Sequence, residues 1–151
     1  MFGSNEGVTT LQTLTTTLID SINGYRDAAG NLEGGPIQQL FGDMATERSK
    51  VVDDLRAEIT RLGGTAPDDG STLGTIHQRF LDLKAAVTGR DEKAIINEVE
   101  RGEDYLKGKF TAALSADGGL TPETRPVVER AFESVRKGHD QVSQIKHSFE
   151  A

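Results

Sequence analysis

No cysteine occurs among the 151 residues, which excludes thiol catalysis, cysteine-ligated zinc and any disulfide framework, and suits a reducing compartment. Any metal would have to sit on carboxylates and on the 3 histidines. Clustered positive charge is missing too. Lys and Arg number 17 against 24 Asp and Glu, for a formal charge of −7, and the cations are interleaved with acids. A general nucleic-acid binder needs Lys and Arg gathered on one face. The opening stretch MFGSNEGVTTLQ has neither a basic n-region nor an apolar h-region, and no apolar run approaches a membrane span. The expectation is a cytoplasmic protein with no membrane and no nucleic-acid partner.

What the chain does have is helical apolar periodicity, in five segments with recognisable ends and no strand pattern. The first spans about Thr10 to Leu32, with Leu11, Leu14, Leu18, Ile22, Tyr25 and Ala29 on one stripe and Thr9 with Gln12 as a capping box. Gly34-Gly35-Pro36 ends it. The second carries Ile37, Leu40, Phe41, Met44, Val51, Leu55, Ile59 and Leu62, closed by Gly63-Gly64. A third places Leu73, Ile76, Phe80, Leu83 and Val87 at heptad-like spacing. Asp91 caps the fourth, with Ile95, Val99, Leu106, Phe110 and Leu114 inward, and Thr121-Pro122 opens the fifth, with Val128, Ala131, Val135, Val142 and Phe149.

These faces can be buried only against one another, so an all-α antiparallel four-helix bundle is expected. A flexible tail over residues 1–8 would precede a single domain over 9–151. The third segment, between Thr65 and Arg90, is the only connection long enough to act as a helical crossover between the second and third core helices.

The stretches LIDSINGYRDAA, ERSKVVDDLRAEITRLGG, GSTLGTIHQRFLDLKAAVTG, NEVERGEDYLKGKF and RKGHDQV resemble the ferritin-like superfamily. More closely, they resemble a bacterial family of ferritin-like four-helix-bundle proteins whose function is not established. The resemblance implies positions for an iron site. The first-helix Glu, seven residues before Tyr25, is Leu18 here, and the second-helix Glu-x-x-His falls on Arg48 and Val51. The third-helix Glu falls on Val99, with Glu98, Glu100 and Glu103 nearby. In the last helix Arg136 stands for the Glu while His139 remains. The implied site is degenerate, with no resident cofactor.

Helical geometry, at about 100° per residue, puts Arg48, Glu103 and His139 within the apolar stripes of their helices. A buried Arg cannot shed its proton and needs an acceptor. The expected cluster is an Arg48–Glu103 pair near mid-bundle with Tyr25 and His139 hydrogen-bonded around it, and Glu100 and Arg136 secondary. The alternative is that Arg48 and Arg136 snorkel to water. Glu98 and Glu100 otherwise read as a solvated face, and His77 and His147 have no assigned role. Glycines 24, 42, 102, 108 and 138 lie inside helical patterns, where each costs up to roughly 1 kcal/mol against Ala. They suggest close helix approach or local bulges.

Three functions fit these residues. One is a non-catalytic structural or stress-associated interaction protein, expected as a homodimer with an unknown protein partner. Another is an iron or manganese oxidase or iron handler built from Glu47, Glu100, Glu103 and His139. Asp20, the one acid the first helix offers such a site, is expected on its outer side. The third is a binder of a small anionic ligand in an inter-helix cavity, using Tyr25, Arg48 and His139.

Overall fold

The computed structural model describes residues 2–32, 34–68, 83, 85–89, 91–115 and 118–150, with side chains described from Glu6 to His147 and Ser148 within that set. The protein is all-α, with no strand among the described residues. Four long helices account for most of the chain: α1 (Phe2–Gly30), α2 (Pro36–Arg61), α3 (Glu92–Leu114) and α4 (Arg125–Glu150). Residues 85–88 are also helical. They belong to the third segment, of which residues 69–82, including His77, lie outside the described residues.

Each helix forms where its apolar stripe lies. In α2 the buried residues include Ile37, Leu40, Phe41, Met44, Val51, Leu55 and Ile59, together with Arg48 and Glu58; in α3 they include Ile95, Val99, Leu106 and Phe110, together with Glu103. Pro36 opens α2, where its missing N–H is not needed. The chain leaves that helix through Gly63 at φ 84, a left-handed conformation that favours glycine. Asp91 caps α3 by accepting from the amides of Lys93 and Ala94.

Two helix starts differ from the sequence expectation. α1 begins at Phe2, so residues 2–8 are helix rather than tail, and Thr9 lies inside the helix instead of capping it. Gln12 is not part of a capping box; its Nε2 donates to the carbonyl of Thr65. α4 begins at Arg125, after a turn over residues 122–124. The Thr121 hydroxyl accepts from the Thr124 amide within that turn, at 3.3 Å.

The helices pack in a closed ring, α1 on α2, α2 on α4, α4 on α3 and α3 on α1; the diagonal pairs make no backbone approach among the described residues. At one end Thr10 Oγ1 donates to the carbonyl of Gly118 and Thr124 Oγ1 to Glu58, which brings the start of α1 and the end of α2 beside the α3–α4 connection. At the other end Asn31, Pro36 and Ile37 border the same cleft as Val87, Glu92 and Ile95. α2 therefore finishes at the first end and α3 begins at the second.

α1 is the most enclosed helix. From Leu14 to Ile22 only Thr16 escapes full burial. Its polar side chains are accommodated inside: the hydroxyls of Thr15 and Thr17 donate back to the carbonyls of Leu11 and Thr13. Asp20 is 5% exposed, so it does not lie on an outer side. Helical phase alone places it away from the main stripe, but the fold covers that face as well. No helix among the described residues is long and apolar enough to cross a membrane.

Candidate functional site

All four helices meet at one level of the interior. Arg48 comes from α2 and Glu103 from α3, at 2% and 1% exposure. The pair spans a diagonal of the ring and so crosses its axis. The contact is bidentate: Arg48 Nη1 donates to Glu103 Oε2 at 2.5 Å and Nη2 donates to Oε1. Planar fork geometry makes Arg rather than Lys suited to this arrangement.

α1 supplies the remaining partners. Tyr25 donates its hydroxyl to Glu103 Oε2 at 2.6 Å, and Ser21 Oγ accepts from Arg48 Nη1 at 2.8 Å. The Arg48 guanidinium carbon lies 5.6 Å from the Tyr25 ring centre, and that ring packs at 5.2 Å on Phe41. The two acceptor oxygens of Glu103 thus receive three donors. A buried pair with this degree of satisfaction is costly to interrupt on one side.

Electrostatics reinforce the assignment of charges. Burial pushes the Tyr25 phenol well above its ordinary range, and the neighbouring Glu103 carboxylate pushes it further. The tyrosine is the neutral donor of the cluster. Burial opposes the charge on Arg48, but attraction to Glu103 and the hydrogen bonds between them outweigh it, so the guanidinium holds its proton more firmly than usual.

α4 contributes a gap. A Cβ at Gly138 would stand 3.0 Å from Arg48 Nη2, 3.2 Å from Met44 Cε and 3.6 Å from Glu103 Oε1. Glycine is what lets this helix lie directly against the ion pair. Gly42, Gly102 and Gly108 have nothing within 4 Å of the same position.

His139 does not join the cluster. One residue beyond Gly138 it is turned about 100° round the helix, and its Nε2 pairs with Asp104 Oδ1 at 2.6 Å instead. Arg136 is exposed and pairs with Glu133. Glu100 pairs with Lys146 at 2.7 Å. Glu98 is bound to Arg101 with one oxygen buried, so neither acid is simply a solvated face. Glu47 is exposed, accepting from Ser134 at 3.3 Å. His147 lies exposed in the last turn of α4.

The four residues of the metal alternative, Glu47, Glu100, Glu103 and His139, therefore each face a different partner. Among the described residues no three His, Asp or Glu side chains come together to hold a metal ion. At the axis the Glu103 carboxylate is saturated by the Arg48 guanidinium and the Tyr25 hydroxyl. The residues present do not fit a metal there.

A second polar tie lies at the end of the ring where α2 stops. Glu58, 6% exposed, accepts from Arg61 Nε at 2.8 Å and from Thr124 Oγ1 at 2.7 Å. Sequence reasoning passed over it. The signal available was an Arg three residues on, with Glu58 flanking the apolar Leu55 and Ile59.

These features define the class: an all-α protein whose helices converge on a buried, hydrogen-bonded ion pair. The chain belongs to the DUF2383 family, a domain of unknown function, which it matches over residues 6–116. The match takes in Tyr25, Arg48 and Glu103 and stops short of Gly138. No curated protein matches the chain.

Proposed function

We propose that the protein is a ferritin-like four-helix bundle in which a guanidinium stands where the superfamily holds metal, and that it acts as a non-catalytic structural or stress-associated interaction protein. The observation that carries this reading is the bidentate Arg48–Glu103 contact on the axis, completed by Tyr25 and Ser21. A carboxylate engaged by three donors has little capacity left for a metal. In this reading the segment between Thr65 and Arg90 is the crossover that returns the chain to the end where α3 starts. The molecule works through its surface, as a cytoplasmic homodimer.

The anionic-ligand reading weakens on the same ground, because the charge of Arg48 is already matched by Glu103. The test is metal analysis of chelator-free protein after anaerobic loading with Fe(II) or Mn(II), with circular dichroism to check folding of each variant. The wild type is expected to remain without stoichiometric metal, and Arg48→Glu, which removes the cation and adds a carboxylate, to gain it. Stoichiometric metal in the wild type that disappears in Glu103→Gln or His139→Ala would overturn the proposal.

A further inference from the structure

Beside Gly138 the seam between α2 and α4 opens into a groove of about 600 Å³, within the range of small-molecule sites. Its buried base is Met44, Gly138 and the edge of Arg48; its sides are polar residues of both helices. The charge on those sides is unbalanced. Asp43 and Glu47 on α2 and Asp140 on α4 face a single Lys137, and Arg48 contributes no free charge because Glu103 cancels it.

None of the three acids is well neutralised within the protein. Asp43 accepts from the Gln39 amide at 2.9 Å and has no ion-pair partner among the described residues. Glu47 has Lys50 at 3.8 Å, and Asp140 has the His139 ring at 3.7 Å. Each distance is longer than a charge-assisted hydrogen bond. The carboxylates are also spread along the groove: Asp43 and Glu47 are one helical turn, about 6 Å, apart, and Asp140 is on the opposite side. A single metal ion would need them gathered, and no such group of three exists among the described residues.

We propose that this groove binds a small organic polyamine. Separate ammonium groups would be taken by Asp43, Glu47 and Asp140, and the methylene chain between them would lie over Met44 and Gly138. The side-chain carbonyls of Gln141 and Gln144, which also border the groove, supply further acceptors. The inference goes beyond the proposed function and does not require that a metal was ever held at the axis.

Isothermal titration of the full chain with spermidine, at neutral pH and about 0.15 M salt to screen diffuse attraction, tests it. One-to-one saturable binding is expected. It should weaken about tenfold or more in Asp43→Asn/Asp140→Asn and strengthen in Lys137→Ala. It should be unchanged in Asp53→Asn/Asp54→Asn, which removes the same charge outside the groove; all four acids are exposed. Absence of saturable binding, or equal weakening in both double variants, would overturn the proposal. So would saturable binding of inorganic phosphate in place of spermidine.

Discussion

One missing methyl group decides how closely α4 can lie on the ion pair. Of the two atoms nearest a Cβ at position 138, Met44 Cε ends a flexible side chain and can move, whereas Arg48 Nη2 is fixed by Glu103. Gly138→Ala therefore sets the intrinsic helix preference for Ala, roughly 1 kcal/mol, against displacement of a buried guanidinium. Overpacking of that kind costs typically about 1–3 kcal/mol, so net destabilisation is expected by urea unfolding. Gly42→Ala and Gly108→Ala, with open space at the same position, should instead stabilise by up to roughly 1 kcal/mol. A Gly138→Ala variant more stable than wild type would show that the pair yields easily. In the sequence these glycines look alike, because the neighbour that makes one of them necessary is on another helix. Arg48 and Glu103 were legible for the opposite reason: a charge inside an apolar stripe announces both its burial and its need for a partner. His139 was misplaced because Gly138 has no side chain to mark which of two adjacent residues faces inward.

Between elements, the Glu58 tie fastens the last turn of α2 to the start of α4. Hydrogen bonding from Arg61, and then from Thr124, holds the Glu58 carboxyl below the usual carboxylate range despite burial. A folded-state value below the unfolded one, about 4.3, means that the carboxylate stabilises the fold above that pH. The contribution is lost as pH falls through the folded-state value. Glu58→Gln is expected to lower stability at pH 7 by about 1 kcal/mol and to reduce the loss on acidification, read from urea midpoints at neutral pH and about pH 3. Curves for variant and wild type that run parallel between those two pH values would refute the linkage. Helix ends at this scale were legible where the signal is local, as with the Asp91 cap and Gly63. They were not where packing decides. α1 continues past Thr9 because buried Gly7 approaches the α3–α4 connection, where its Cβ would stand 3.2 Å from the Gly119 carbonyl oxygen, and because Thr10 bonds Gly118. No window of sequence around Thr9 contains those partners.

Across the whole molecule, stripes with a 3.6-residue period announced an all-α chain, and they did so because each long helix must bury one face. The second buried face of α1, with Thr17 and Asp20, was hidden because its polar residues read as exposed until another part of the fold covers them. Among the described residues the ring leaves α2 and α3 without backbone contact, so Arg48–Glu103 joins the two hairpins α1–α2 and α3–α4 along a diagonal that backbone packing does not span. A link of this kind can fix the mutual placement of the hairpins without adding net stability, since taking two charges out of water offsets much of their attraction. The two roles separate in a variant series. Glu103→Leu alone leaves the guanidinium buried without its carboxylate, with hydroxyls such as that of Ser21 as acceptors, and is expected to cost about 3–5 kcal/mol. Adding Arg48→Met and Tyr25→Phe removes the stranded groups and fills the axis with apolar side chains. Stability should then return to the wild-type value or exceed it by about 1–4 kcal/mol. Hydrogen exchange then reads the second role: with global stability restored, amides of α3 around position 103 should exchange faster than in the wild type if the pair holds the hairpins in register. A triple variant that stays as unstable as Glu103→Leu would mean that the polar cluster itself, and not the apolar packing around it, supplies the missing stability.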